Sequence, residues 1–142
     1  MPNTTIRIYT QNGIQYVFHE DRGKILSIPK AYLRCGIKHR NVSNQYMRLE
    51  DAQPSMSVGD KMVRNGTIIS VTLNCEPSST WNLKIFKLGS ASPLVTLPTS
   101  SPTGAADSTL NVDFNAGDVL SFYMAGVAVK FPRALIELAW RL

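Results

Sequence analysis

The stretch FNAGDVLSFYMAG, residues 114–126, decides how the chain is read. Phe114 closes one apolar run and Val119 opens another, with Asn115, Ala116, Gly117 and Asp118 between them. In such a segment glycine supplies a positive φ, and Asn or Asp side chains accept hydrogen bonds from nearby backbone N–H groups. The four residues therefore spell a turn, and Asp118 is expected to shape it rather than to do chemistry. Behind the turn, Val119, Ser121 and Tyr123 alternate with Leu120, Phe122 and Met124, the period of a β-strand. Both sets are largely apolar. That predicts a strand buried on one side by the core and on the other partly by a neighbouring subunit.

The same grammar recurs in both directions. In TIRIYTQNGIQYVFHED, residues 5–21, Ile6 and Ile8 and then Ile14, Tyr16 and Phe18 recur at period two around Asn12-Gly13, the dipeptide a type I′ hairpin favours. EDRGKILSIPK, residues 20–30, places a charged turn before a short strand that Pro29 closes, because proline cannot continue a central ladder. Residues 1–30 thus read as an N-terminal β-hairpin extension, or attachment arm, and residues 31–142 as one sandwich domain. KMVRNGTIISVTLNC, residues 61–75, reads as a second hairpin turning at Asn65-Gly66, with Ile69, Val71 and Leu73 on one face and Ile68, Ser70 and Thr72 on the other. Residues 38–58 read as mostly loop, and 89–107 as a surface connection carrying a short edge strand. In RALIELAWRL, residues 133–142, alternation and the preceding Pro132 favour a strand over a helix. About eight to ten short strands with regular turn signals predict an all-β fold, a single antiparallel β-sandwich of jelly-roll or Ig-like type.

Composition bounds the rest. A chain of 142 residues with 44% hydrophobic and 18% charged residues suits one globular domain. No apolar run approaches a membrane span, and no basic segment followed by an apolar core marks a secretory signal, so synthesis in a cytoplasm is expected. The net charge of +5 is unevenly placed: residues 1–64 carry ten Lys/Arg against five acids, and residues 65–142 carry five of each. The basic residues are scattered without interleaved aromatics, so nucleic acid is not the expected partner. A solvated face or docking to an acidic protein surface is.

Cys35 and Cys75 are forty residues apart without a C-x-x-C pair, and read as buried free thiols; His19 and His39 are equally isolated, so no metal set is expected. No nucleophile elbow, phosphate loop or zinc-protease motif occurs, and neither catalytic residues nor a cofactor site are expected. The chain reads as a non-enzyme. Tyr46, Trp81, Tyr123 and Trp140 raise a second reading, a sugar-binding platform in which Trp81, after the polar EPSS segment, faces solvent; core or subunit contact is the favoured fate of Trp81 and Trp140.

Three stretches together, DRGKILSIPKAYLRCG, DKMVRNGTIISVTLNC and FNAGDVLSFYMAG followed by ALIELAW, resemble in order and spacing a pattern of bacteriophage virion proteins of the fibre, collar and decoration type. The A-G-D-x-L turn is also similar to one in trimeric jelly-roll heads of the complement and tumour-necrosis kind, although no collagen-like stalk precedes it here. The resemblance implies a virion structural protein, a tail collar or capsid decoration component made in the bacterial cytoplasm. It would assemble as a homotrimer or larger ring and dock on other virion proteins. The expected contact residues are Ile6, Ile8, Tyr16, Phe18, Arg22 and Lys24 of the arm, with Trp81 on the body. The alternative is a host-glycan or receptor-binding sandwich.

Overall fold

In the computed structural model, residues 30–49, 59–77 and 80–141 are described in full, together with the backbone of three N-terminal strands. These are β1 (Ile6–Gln11), β2 (Ile14–His19) and β3 (Lys24–Ser27), an antiparallel sheet in that order. The register Gln11↔Ile14 leaves the two-residue connection that Asn12-Gly13 predicts. Phe18 then pairs with Ile25 and Val17 with Leu26. The extension is therefore the expected hairpin of β1 and β2, continued into a three-stranded sheet by the short strand expected in KILS.

The remaining described strands are β4 (Lys30–Gly36), β5 (Gln45–Tyr46), β6 (Arg48–Leu49), β7 (Asp60–Lys61), β8 (Gly66–Asn74), β9 (Trp81–Lys87), β10 (Val95–Pro98), β11 (Gly104–Asp107), β12 (Val112–Phe114), β13 (Val119–Gly126) and β14 (Arg133–Trp140). They form a six-stranded sheet, β11-β8-β14-β4-β6 with β12 also on β8, and a five-stranded sheet, β10-β9-β13-β5 with β7 also on β13. The pairing is nested. β4 pairs with the last strand β14, β5 and β7 pair with β13, β8 pairs with β11 and β12, and β9 pairs with β10. Nesting of this kind is the jelly roll, not the Ig arrangement. No described segment is helical, and no helix is long and apolar enough to cross a membrane.

Alternation builds the core. Trp81, Leu83 and Ile85 of β9, Leu120, Phe122 and Met124 of β13, and Ile136 and Leu138 of β14 are buried together, and most of their strand neighbours, Ser121 and Ala139 excepted, are more exposed. The C-terminal run is thus a strand, as its alternation predicts. Residues 89–107 contribute two edge strands, β10 on one sheet and β11 on the other, and Pro98 ends β10 where no further ladder partner is needed. Within 38–58 the short strands β5 and β6 form, and residues 50–58 lie outside the described residues.

Two sequence expectations change. Asn65-Gly66 does not turn a hairpin: β7 pairs with β13 in one sheet while β8 belongs to the other, so the chain crosses between sheets there. Gly66 is needed for closeness instead. A Cβ at that position would lie 2.5 Å from the Phe114 ring and 2.9 Å from the Ala139 carbonyl oxygen. The face of β8 also switches midway. Opposite β14, Ser70 pairs with Glu137 but Ile68 pairs with Leu138, a bulge that leaves Ile69 as the extra residue. Ile68, Val71 and Leu73 consequently share the core, in place of Ile69, Val71 and Leu73.

Candidate functional site

The turn at residues 115–118 is held entirely by structure. The Asn115 N–H donates to Asp118 Oδ2 at 2.8 Å, and the Asp118 N–H returns a bond to the Asn115 carbonyl at 3.1 Å. Ala116 N–H donates to Asn65 Oδ1 at 2.8 Å, while Met62 and the turn exchange two backbone bonds, Met62 N–H to Asp118 O at 2.8 Å and Gly117 N–H to Met62 O at 2.7 Å. Gly117 takes φ +87°, the positive value expected of it. Replacing Asp118 by alanine should lower stability by about 1 kcal/mol, and Asp118→Asn, which keeps an acceptor oxygen, by less than half of that. Thermal melts of both variants check this, and equal losses would contradict it.

The aromatic residues separate into two places. Tyr46 and Tyr123, paired across β5 and β13, meet edge to face with ring centroids 5.0 Å apart, and Phe86 closes on Tyr123 at 6.4 Å. These rings lie on the outer side of the five-stranded sheet, where Ser121 is 1% exposed. Its hydroxyl has no hydrogen-bond partner among the described residues. On this second face of β13 Ser121 is buried within its own chain, while Val119 and Tyr123 remain half-buried. Trp140 packs edge to face on Phe114 at 6.1 Å. Trp81 is 1% exposed, with its indole N–H on Cys75 Sγ at 3.4 Å. Its alternation with Leu83 and Ile85 carries it inward, so it is a core residue and offers no surface to a sugar or a partner.

The outer side of the six-stranded sheet is different in kind. Residues paired across β4, β14, β8 and β11 form rows on it: Tyr32, Glu137 and Ser70 in one, and Arg34, Leu135, Thr72 and Ala106 in the next. Tyr32 is 57% exposed, and its hydroxyl donates to Glu137 Oε2 at 2.8 Å. That carboxylate pushes the phenol pKa up, through the hydrogen bond first and its charge second. Ser70 Oγ reaches the other oxygen of Glu137 at 3.4 Å, so the one acid in these rows is occupied within the chain.

A third row carries Arg48, Gly36, Arg133 and Asn74 on β6, β4, β14 and β8. It opens a cleft of about 720 Å3 that Arg34, Lys38, Cys35, Ile37, Cys75 and Phe131 also line. Neither cysteine is in a disulfide and both are buried, and burial pushes the Cys35 thiol pKa strongly up. Among the described residues no group of three or more His, Cys, Asp or Glu side chains is placed to hold a metal ion.

Of the arm residues expected to make contacts, Ile6, Ile8, Tyr16, Phe18 and Lys24 stand on β1, β2 and β3, with side chains outside the described residues; Arg22 lies outside them altogether. The register pairs Ile8 with Val17 and Arg7 with Phe18, so Ile6 and Ile8 belong to one alternation of that sheet and Tyr16 and Phe18 to the other. The cationic cleft is the feature sequence reading missed. Its one signal was the basic excess before residue 65, and Arg133 lies beyond it. Comparison with protein families, with curated proteins and with solved structures gives no match.

Proposed function

We propose that this chain is a non-enzymatic structural module of a bacteriophage particle, of tail collar or capsid decoration type. Its jelly-roll body assembles into a homotrimer, and its N-terminal three-stranded sheet docks on neighbouring virion proteins. The observation that supports self-assembly best is the uncovered outer side of the six-stranded sheet. There an exposed Tyr32 stands beside Leu135, Thr72, Ser70 and Ala106, and the only acid of those rows is already hydrogen-bonded. Interface centres are depleted in charge and enriched in tyrosine, and these rows have that composition, with Arg34 toward one end.

The arm supports docking for a related reason. Both alternations of β1, β2 and β3 carry apolar residues: Ile6, Ile8, Val17 and Leu26 in one, and Tyr9, Tyr16, Phe18 and Ile25 in the other. A sheet of three short strands has too few residues to bury both by itself, and apolar faces of this size call for a second layer. The virion assignment rests on the sequence resemblance, and with it the location of the protein in the particle. Removing residues 2–20 should leave the body folded and abolish incorporation into particles. Unchanged incorporation of a folded, truncated chain would remove the docking role of the arm.

A further inference from the structure

We infer that the cleft bounded by Arg34, Lys38, Arg48 and Arg133 is a binding site for a small ligand bearing two or more phosphate or sulfate groups. Three observations carry this.

The first is placement. Gly36 pairs with Arg48 on one side and with Arg133 on the other, so the two arginines flank a residue with no side chain, about 10 Å apart at two inter-strand spacings. Arg34 stands two residues back on the same side of β4, and Lys38 continues the segment two residues ahead. A slot floored by glycine and walled by guanidinium groups results. A Cβ on Gly36 would sit 3.1 Å from Arg133 Cγ and 3.2 Å from the Pro132 carbonyl, crowding that slot.

The second is charge. No hydrogen bond or ion pair holds any of these four side chains among the described residues. Among the described residues the only acid lining the cleft is Glu76, and Arg40 engages it at 3.5 Å, which adds a fifth cation to the neighbourhood. Uncompensated like charges gathered in one concavity repel each other and focus a positive potential into it. Arginine's planar fork binds phosphate, sulfate and carboxylate oxygens in pairs, and three of the four cations are arginines.

The third is shape. A volume of about 720 Å3 lies within the range of small-molecule sites, and Cys35, Ile37, Cys75 and Phe131 are among the residues that line it. Phe131 holds φ +48°, a left-handed conformation uncommon for a bulky residue. Its N–H is bonded to the His39 carbonyl at 3.0 Å, and the Ile37 N–H is bonded to the Pro132 carbonyl at 3.0 Å. These bonds fix the strained aromatic at the cleft. The cations are spread across three strands, which matches several anionic groups on one scaffold better than a single phosphate ion.

The four cations all belong to one chain and the assignment does not rest on a virion location, although Arg34 also stands in the row proposed to join copies of this chain. Calorimetric titration of the full chain at low salt, with inorganic tripolyphosphate and separately with a heparin-derived tetrasaccharide, tests it. At least one probe should bind saturably at one per chain and weaken as salt is raised; the tighter of the two distinguishes phosphate from sulfate. Arg133→Gln and Arg48→Gln should each weaken binding about tenfold or more, while Lys84→Gln on the other sheet should not change it. Both arginine variants should melt no lower than the parent chain, since each removes a repelling charge. Absence of saturable binding by either probe, or equal affinity in Arg133→Gln and Lys84→Gln, would overturn the assignment.

Discussion

Replacing Trp81 by alanine is expected to lower stability by about 3–5 kcal/mol, a large part of the roughly 5–15 kcal/mol that holds a domain of this kind together. The indole is 1% exposed and belongs to the central cluster with Leu83, Phe122 and Met124. Its partners are fitted to it. Gly126 pairs with Trp81 across β13 and β9, and a Cβ on that glycine would fall 2.5 Å from the Trp81 Cβ. The Trp81 backbone N–H donates to Thr99 Oγ1 at 3.1 Å, tying β9 to the chain that leaves β10. Truncation would leave a cavity that this close packing cannot collapse into. Urea unfolding measures the loss as a shift in midpoint at constant slope. A loss below about 1 kcal/mol would mean that the ring is not a core element, and would reopen its role at the surface.

Gly104→Ala is expected to cost about 2–4 kcal/mol, for a different reason. Gly104 has φ +145°, and a Cβ there would lie 2.0 Å from the Leu73 carbonyl oxygen. Backbone meets backbone, so no side-chain rotation relieves the contact. The residue starts β11 at the edge of the six-stranded sheet, paired with Asn74, and its carbonyl accepts from Ser100 and Ser101 N–H groups at 3.1 Å each. Gly117→Ala provides the comparison, since Gly117 has φ +87° but nothing within 4 Å of the added carbon. Torsional strain alone should cost that variant about 1 kcal/mol. Equal losses in the two would show that the close approach at Gly104 adds nothing.

Much of the sandwich was legible because its long strands obey a local rule. Residues 81–87, 119–126 and 133–140 alternate in sequence and, apart from the buried Ser121 and Ala139, in burial, and the turn at 115–118 declares itself through residues that bond within it. Where a residue's role depends on a distant segment, the same rules misread it. Gly66 resembles a hairpin glycine, yet it is required by the Phe114 ring, which reaches it through the pairing of β12 with β8. The bulge at Ile69 is fixed by the register of β14, nearly seventy residues away in sequence, and nothing in TIISVTL marks it. Trp81 follows the polar EPSS segment, which leaves exposure open beside the favoured core or subunit contact, and strand alternation carries it into the core. β5, β6 and β7 are each two residues long, too short for any periodicity, and exist only because β13 and β4 offer them edges. The cationic cleft was invisible for the same reason. Arg34, Arg48 and Arg133 are scattered along the sequence and meet only through the pairing of β6, β4 and β14.

On the proposed function, the outer side of the six-stranded sheet joins copies of this chain. Light scattering coupled to size exclusion tests it most directly on the full-length protein, alone and as Leu135→Lys, a charge placed beside Tyr32 and Thr72 on that side. The parent chain should elute with three times the 15.7 kDa mass of one chain, and the variant with the mass of one. A parent chain that remains at 15.7 kDa, or a trimer that Leu135→Lys leaves intact, would contradict it.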